Sequence, residues 1–239
     1  MALHEGHRQR MYEKAEKGAL AEHEWLEVLL FGAIPRKNTN EIAHRLIAQF
    51  GSALDVFLAS SEDLQKVPGV GPSVAAQIRA IGHFYREYKE ITAPQYRGKF
   101  SSRDFLPFVK QVYKDILYEV VDLYLLDGEG RVVKKRRFSV ESICRVKVLP
   151  EDVSSFLLSE GASGAVMVHN HPYGEAIPSD SDDRMTKNCQ MLCSMHNRLF
   201  CDHIIYAPNG MYSYYLSGRM KDISQNYSVC KFLGDEEEE

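Results

Sequence analysis

The sequence predicts an α/β protein in which an all-helical N-terminal domain precedes a domain built on a mixed sheet. Two observations lead to this fold class. From residue 9 to about residue 90, apolar residues recur at helical spacing and glycines end the periodic runs. Beyond that region, short runs rich in β-branched and aromatic residues alternate with helix-periodic ones. The 239 residues are enough for two modest domains.

The helical domain is predicted to end in a tight hairpin. The stretches "AEHEWLEVLLFGA" and "TNEIAHRLIAQFG" are each helix-periodic, and the second stops at Gly51. A further unit at 60–88 has two helical segments joined by "PGVGP" at 68–72. We predict the following division of the chain: a helical domain at 1–90, a linker at 91–103, a mixed-sheet domain at 104–225 and an acidic tail at 226–239.

The elements of the mixed-sheet domain follow from its periodicities. "DFLPFVKQVYKDI" is helix-periodic, and "EVVDLYLLDGEGRVVKKRRFSV" contains two strands joined by a turn at 127–130. "PEDVSSFLLSEGAS" starts a helix with a proline and ends it at a glycine. "GAVMVHN" indicates a strand covered on both faces, and a helix is expected from about Ser181 to Leu199. A hairpin with a type I′ turn at Asn209-Gly210 follows.

Composition excludes several classes of protein. The net charge of −4 means that the whole molecule does not attract nucleic acid, so any DNA contact would be local. We see no signal peptide at the N-terminus and no run of about 18 apolar residues that would cross a membrane. Five cysteines, an odd number, fit reduced thiols and a cytoplasmic location.

The stretch "HNHPYGEAIPSDSDD", which begins at His169, predicts a metal site. If "GAVMVHNH" is a strand, His169 and His171 point to the same side of it, because side chains alternate with period two. Asp182, in the first turn of the next helix, can add an oxygen ligand. Three protein ligands with an open fourth position are typical of catalytic zinc. Such an ion lowers the pKa of a bound water from about 15.7 toward about 7.

An alternative interpretation needs no metal. Ser179 and Asp182 have the spacing of a helix capping box, in which the aspartate only satisfies backbone N–H groups. A cap, however, does not require two histidines upstream. Two other motifs do not fit: the residues of the HNH nuclease motif are dispersed through a ββα unit, and zinc deaminases need His-x-Glu with a later Cys-x-x-Cys.

These residues also resemble a known family. The pattern His-x-His-x7-Ser-x2-Asp resembles the JAMM (MPN-type) metallopeptidase signature, and "HNHP" with Gly174 and "PS" at 178–179 resembles its bacterial RadC branch. The resemblance covers most of the chain, because RadC proteins also begin with a helical region that ends in a helix-hairpin-helix. Tyr173, "LPEDV" and "FSVES" depart from the usual RadC pattern, which leaves the ligands alone but changes the rim of the site.

The resemblance implies roles for five residues. His169, His171 and Asp182 would bind Zn2+, and Ser179 would help to stabilise an oxyanion. The general acid/base of the family is a glutamate at the start of the first strand of the domain, ahead of an apolar run that ends in Asp. "YEVVDLYLLD" fits that description and nominates Glu119. A solvated strand terminus is the alternative role for this glutamate.

The implied function is a zinc-dependent hydrolase of peptide or isopeptide bonds in a protein or peptide substrate that the sequence does not name. An alternative is a DNA repair or recombination accessory protein with a structural or regulatory metal. DNA would then contact the hairpin at Gly69, Val70 and Gly71. A third hypothesis, a non-catalytic scaffold, is disfavoured by the intact ligand set. The sequence does not give the oligomeric state.

Two further clusters have less specific patterns. "KKRR" at 134–137 could supplement a DNA-binding patch, but lysines that protect an edge strand are the simpler explanation. Cysteines and histidines between 189 and 203 raise the question of a second zinc site. Helical spacing instead predicts a core-facing stripe formed by Met185, Cys189, Leu192, His196 and Leu199.

Overall fold

The computed structural model describes residues 2–35, 38–138, 140–142, 145–146, 148–159 and 161–233. The chain divides into two compact units, Met1–Thr92 and Ala93–Glu239. Helices build the first unit, and a five-stranded mixed sheet with helices builds the second. The predicted fold class is therefore confirmed.

Apolar helix faces and polar caps organise the first unit. Its helices are α1 (Ala2–Glu16), α2 (Glu22–Leu30), α3 (Thr39–Phe50), α4 (Ala53–Leu58), α5 (Ser61–Gln65) and α6 (Pro72–Ile91). The side chains of Asn38, Ser52 and Ser60 cap α3, α4 and α5 by accepting hydrogen bonds from backbone N–H groups. The apolar faces meet in one core that includes Leu46 and Leu64.

Two glycines allow the helices around the hairpin to approach closely. Gly69, in the turn between α5 and α6, has a φ of +98°, and a Cβ there would lie 2.9 Å from Cδ1 of Ile42. Within α6, a Cβ on Gly82 would lie 2.2 Å from the carbonyl oxygen of Phe57. Helices α4 and α6 therefore touch backbone to backbone at that point.

The second unit is built around the central strands β1 and β5. Its elements are α7 (Ser102–Tyr113), β1 (Val121–Leu126), β2 (Val132–Phe138), β3 (Val140–Ser142), β4 (Arg145–Val146), α8 (Pro150–Leu157), β5 (Gly164–Asn170), α9 (Asp180–Met195), β6 (Leu199–Ala207), β7 (Gly210–Ser213), α10 (Arg219–Asn226) and α11 (Val229–Leu233). The strand order in the large sheet is β2-β1-β5-β6-β7, and β3 pairs with β4 separately. Every residue of β1 and β5 is buried, which explains their continuous apolar character.

The one parallel pair of the large sheet, β5 with β6, positions the start of α9. Parallel neighbours need a crossover connection, and α9 supplies it. Met167 on β5, Cys189 on α9 and Ile205 on β6 share one core cluster, so α9 packs on the face to which Met167 and His169 point. The end of β5 and the first turn of α9 consequently meet at one edge of the sheet.

Several boundaries differ from the sequence prediction. Helix α6 runs to Ile91 and α7 begins at Ser102, so helix residues occupy both ends of the predicted linker. The helix predicted to reach Leu199 ends at Met195, because Asn197 takes a φ of 53° and β6 begins at Leu199. The predicted acidic tail contains α11, and its residues 234–239 lie outside the described residues.

The hairpin between β6 and β7 is confirmed, but its predicted turn type is wrong. Ala207 pairs with Gly210, so the turn residues are Pro208 and Asn209. A type I′ turn requires positive φ at both turn residues. Proline holds φ near −65°, and Asn197 is the non-glycine residue with positive φ in the described part of the chain.

The basic residues 134–137 lie on β2, which is an edge strand of the large sheet. The two arginines among them bind carboxylates of the same unit. Arg137 donates hydrogen bonds of 2.8 and 2.7 Å to the buried carboxylate of Asp122. Arg136 pairs with Asp152 at 2.6 Å. These contacts favour the edge-strand explanation over a DNA-binding patch.

The predicted core stripe is only partly right. Cys189 and Cys193 are buried in the core, whereas Leu199 is 72% exposed because it starts β6 instead of ending the helix. The four described cysteines are free thiols. Within the described residues, no cysteine belongs to a group of converging metal-ligand side chains.

Candidate metal centre

Two histidines lie where β5 ends. His169 is the penultimate residue of the strand, and His171 follows the strand directly. Their rings meet edge to face, with centroids 4.9 Å apart. His169 is 6% exposed. The alternation of side chains along β5 thus puts both imidazoles on the same face, as the sequence predicts.

Each imidazole is oriented by a backbone carbonyl. Nδ1 of His169 lies 3.1 Å from the carbonyl oxygen of Val120, and Nδ1 of His171 lies 2.8 Å from that of Glu175. A carbonyl can only accept, so each Nδ1 carries the hydrogen in the neutral ring. The lone pair is left on Nε2 of both rings, which is the arrangement that metal-binding histidines show.

Asp182 faces both of these Nε2 atoms from the first turn of α9. Its Oδ1 lies 3.6 Å from Nε2 of His169, and its Oδ2 lies 3.4 Å from Nε2 of His171. The ligand atoms of the three side chains all lie within 4.8 Å of one another. The three residues that the sequence nominated as ligands therefore form one candidate metal-binding group.

The capping interpretation also holds, because Asp182 belongs to a capping box with Ser179. Its Oδ2 accepts hydrogen bonds from the backbone N–H of Ser179 at 2.8 Å and from the Ser179 hydroxyl at 2.7 Å. In return, the Asp182 N–H donates to Oγ of Ser179 at 3.2 Å. The hydroxyl of Ser179 is thus engaged in the cap in this structure.

Burial and neighbouring groups shift the pKa values of the three residues in different directions. Burial lowers the pKa of His169 to about 4, so this imidazole is neutral at pH 7. The hydrogen bond to Asp182 raises the pKa of His171, which lets it share a proton with that carboxylate. Burial opposes ionisation of Asp182, but hydrogen bonds from His171 and Ser179 outweigh it and lower the pKa.

Glu119 is half-buried and precedes β1 by two residues, so it lies before the strand that the sequence expected it to open. Burial raises its pKa. The charge of His171 lowers this pKa and that of Asp182 raises it, which means that Glu119 is close enough to feel both. The structure therefore puts a carboxyl group with a raised pKa within electrostatic reach of His171 and Asp182.

Thr186 and His203 form a hydrogen-bonded chain that ends on the backbone of Asp182. Sequence analysis missed this role for both residues. The Thr186 hydroxyl donates to the carbonyl oxygen of Asp182 at 2.6 Å and accepts from Nδ1 of His203 at 2.7 Å. His203 is fully buried and stacks on Tyr214. Its Nε2 finds no hydrogen-bond partner among the described residues. The signal in the sequence was a histidine inside a buried strand.

The loop between His171 and α9 connects two of the candidate ligands, His171 and Asp182. The N–H of Ala176 donates to Oδ1 of Asn209 at 3.1 Å, so the β6–β7 turn braces this loop. Tyr173, which departs from the usual RadC pattern, is 73% exposed, and Ile177 is 63% exposed.

The proposed DNA-contacting residues Gly69, Val70 and Gly71 lie in the first unit, between α5 and α6.

Comparison with known proteins now assigns the chain to a family. Residues 100–219, half of the chain, match the family described as RadC-like JAB domain. The chain belongs to the RadC family. Residues 52–81 of this RadC chain match the helix-hairpin-helix motif, in agreement with the turn around Gly69.

Curated relatives span nearly the same length. A UPF0758 protein of Shewanella sediminis is 30% identical over 215 residues, which is 88% of this chain and 93% of the relative. A UPF0758 protein of Ralstonia pickettii is 26% identical over 202 residues, 84% and 90% of the two chains. One of Streptococcus sanguinis is 24% identical over 204 residues, 85% and 89%. These names state no activity.

Within the described residues, every helix of the RadC chain is too short or too polar to span a bilayer.

Proposed function

We propose that this chain is a zinc-dependent hydrolase of peptide or isopeptide bonds. One observation carries the proposal: the side chains of His169, His171 and Asp182 converge, and Glu119 lies within electrostatic reach of two of them. JAB domains of this kind resemble JAMM metallopeptidases, which makes hydrolysis the expected chemistry. The free thiols also support the cytoplasmic location expected from the sequence.

The residues fit zinc better than a hard cation. Two imidazole nitrogens and one carboxylate oxygen are a common catalytic zinc set, whereas Mg2+ and Ca2+ prefer oxygen ligands alone. Both imidazoles have Nδ1 held by a carbonyl, so Nε2 is the atom that each can offer to a metal, and His171 would give up the proton that it shares with Asp182. His169 is neutral at pH 7 because burial lowers its pKa, and no proton has to leave it before metal binds.

Zn2+ at this site would supply a water activated at neutral pH and a Lewis acid for the scissile carbonyl. Glu119 would take a proton from the attacking water and return it to the leaving nitrogen. Burial raises the pKa of Glu119, which brings the carboxyl closer to the pH at which it can both accept and donate. Ser179 could stabilise the oxyanion only after its hydroxyl rotates away from Asp182.

Metal analysis is the first test. The purified protein should hold one Zn2+ per chain, and His171→Ala and Asp182→Ala should both lose it. Glu119→Gln is the matched control, because it removes a nearby carboxylate that is not a ligand and should keep the metal. Zinc retained at full occupancy by both ligand variants would overturn the proposal.

Hydrolysis is the second test. Peptides of mixed sequence and a lysine-linked isopeptide are incubated with the zinc-loaded protein, and new amino groups are measured. We expect Glu119→Gln to lower the rate by about 10²–10⁴-fold, the usual contribution of a general acid/base. Equal rates for the parent and this variant would remove Glu119 from the mechanism.

The second candidate function is DNA binding through the helix-hairpin-helix, either alongside hydrolysis or as a DNA repair accessory role. The match at residues 52–81 favours it. Gly71 is the N-cap of α6 without a side-chain cap, and the N–H groups that follow it can bind a phosphate. A side chain at Gly71 would meet nothing within 4 Å, so substitutions there test binding without disturbing packing.

Gly71→Asp and Gly71→Asn form a matched pair for this test. Both are good N-cap residues, so both variants should be at least as stable as the parent. Only the aspartate repels phosphate. Either side chain can occupy the N–H groups that would bind the phosphate. We therefore expect Gly71→Asp, which adds a charge, to weaken binding to single-stranded and duplex DNA more than Gly71→Asn does, at two salt concentrations. Equal DNA binding by the two variants would argue against the hairpin as the contact.

A further inference from the structure

Asn170 lies between the two candidate ligand histidines, with its side chain on the opposite face of the sheet. Successive residues of a strand alternate, so His169 and His171 point to one face and Asn170 to the other. The residue is completely buried. A buried carboxamide needs partners for both its oxygen and its nitrogen.

The partners of Asn170 all belong to one short segment, residues 116–120. Its Oδ1 accepts the N–H of Val120 at 2.7 Å. Its Nδ2 donates to the carbonyl oxygens of Tyr118 at 3.0 Å and Ile116 at 3.3 Å. These backbone groups lie between α7 and β1, outside any regular element that could pair them.

The segment 116–120 also carries Glu119, and the candidate ligand His169 contacts this segment at Val120. The carbonyl oxygen of Val120 accepts the N–H of Asn170 at 3.3 Å and lies 3.1 Å from Nδ1 of His169. Val120 is therefore fixed from both sides by residues of β5. Glu119, directly before it, has its backbone fixed relative to the ligand histidines.

We propose that Asn170 is the positioning residue of Glu119. Its carboxamide ties residues 116–120 to the strand that presents His169 and His171, and so sets the distance from the Glu119 carboxylate to the metal centre. This inference rests on the proposed function, because the position of Glu119 matters only if this carboxylate acts on a reaction at the metal.

The role needs an amide and not merely a polar group. An aspartate of the same shape keeps an acceptor for Val120 but has no N–H for the carbonyls of Tyr118 and Ile116. A carboxylate oxygen would instead face two carbonyl oxygens. Alanine would leave all three backbone groups buried without this partner. Both Asn170→Asp and Asn170→Ala should therefore release the segment.

Amide hydrogen exchange of the metal-free protein tests the tie directly. We expect the Val120 amide to exchange about tenfold faster or more in Asn170→Ala, because its buried hydrogen-bond acceptor has been lost. In Asn170→Asp this amide should exchange faster than in the parent, because repulsion between the carboxylate and the two carbonyl oxygens releases the segment. The amides of Val168 in β5 and Cys189 in α9 should change less. Asn209→Ala is the matched control: it removes a hydrogen bond to Ala176, in the loop after His171, and should leave the Val120 rate unchanged.

The parent protein alone provides a second measurement, should the variants fail to fold. If Asn170 holds the segment, the Val120 amide should be as protected as that of Val168. A Val120 amide that exchanges much faster than Val168 in the parent would overturn the proposal. So would an unchanged Val120 rate in folded Asn170→Ala.

Co2+ as a paramagnetic probe then reports the position of Glu119 itself. Relaxation of the Glu119 side-chain signals falls steeply with distance from the ion. We expect strong broadening in the parent and a loss of broadening in Asn170→Asp, with the signals of His169 and His171 still broadened. A purely structural role would leave Glu119 broadened in every folded variant.

The two proposals fail in distinguishable ways. If the parent binds neither Zn2+ nor Co2+, the proposed hydrolase function fails, whereas the exchange results still decide whether Asn170 holds residues 116–120. If metal binds and Asn170→Asp leaves both exchange and broadening unchanged, only the positioning role fails.

Discussion

Asp182 uses its carboxylate for two purposes. Oδ2 closes the capping box with Ser179, and Oδ1 faces Nε2 of His169. The sequence pattern Ser-x-x-Asp left a cap and a ligand as alternatives, and the geometry accommodates both. The hydroxyl of Ser179 contributes to the cap alone in this structure, so the two functions can be separated by substitution.

Ser179→Ala and Asp182→Asn should therefore behave differently. Ser179→Ala should lower the free energy of unfolding by about 1 kcal/mol, the usual effect of losing an N-cap side chain, and should keep bound zinc. Asp182→Asn should lose zinc, because an amide is a far weaker ligand than a carboxylate. Urea unfolding and metal analysis measure the two effects. Equal zinc loss in both variants would mean that the cap itself holds the ligand in place.

His203 makes the metal-free protein sensitive to acid. Burial lowers the pKa of His203 to about 3 from an ordinary value of 6.5. Below pH 6.5 the unfolded chain binds a proton here that the folded chain does not, so stability is highest above pH 6.5 and falls as the pH falls toward 3. The groups that influence this ring electrostatically are His169, His171, Asp182 and Asp183.

His203→Asn tests this effect, because asparagine can still donate to Thr186 but does not titrate. The free energy of unfolding of the parent should fall between pH 6 and pH 4 with a slope steeper than that of the variant by at most about 1.4 kcal/mol per pH unit. Chemical denaturation at several pH values gives both slopes. Parallel slopes would show that His203 is not buried in its neutral form.

At the scale of elements, the close packing of α4 and α6 in the first unit should reverse the usual effect of a glycine-to-alanine substitution on stability. Glycine to alanine inside a helix usually stabilises by about 1 kcal/mol. At Gly82 the added Cβ would lie 2.2 Å from the carbonyl oxygen of Phe57, so α4 and α6 would have to separate. At Gly6 in α1, the nearest atom is a flexible arginine nitrogen at 3.7 Å.

We expect Gly82→Ala to destabilise the protein by roughly 1–3 kcal/mol, as overpacking does. Gly6→Ala is the control and should be neutral or stabilising. Thermal unfolding of the two variants beside the parent measures the difference. A stabilised Gly82→Ala would mean that the two helices are not in backbone contact.

Sequence periodicity predicted the main elements but neither all of their ends nor the contacts between them. The buried strand at 164–170 and the three ligand candidates follow from local pattern and spacing. The end of α9 was missed because Asn197 adopts a positive φ. Asparagine tolerates this conformation, but its presence in a sequence does not predict it. The role of Asn170 could not be predicted, because its partners lie about fifty residues earlier in the chain.

At the scale of the whole molecule, the two units have separate cores. The core of the first contains Leu46 and Leu64, and the core of the second contains Met167 and Ile205. All three candidate ligands belong to the second unit. A ligand that binds only the folded state stabilises the unit that holds its site.

Zn2+ should therefore protect the two units unequally. At a free concentration 100 times its Kd, the ion should raise the free energy of unfolding of the second unit by about 2.7 kcal/mol. Slowly exchanging amides of β5 should gain this protection, while those of α3 should gain less. Asp182→Ala, treated in the same way, is the control and should show no gain. Equal gains in both units would point to a metal that acts elsewhere.

The crossover from β5 to β6 makes the two ends of α9 unequal in their tolerance of added residues. At the near end, the chain between His171 and Ser179 must return to the same sheet edge, and the Ala176–Asn209 hydrogen bond restrains it on the way. An insertion there would move the carboxylate away from the imidazoles. At the far end, near the exposed Asn197, a short insertion would lengthen a connection remote from the three candidate ligands, which makes it the better place for a genetically encoded label.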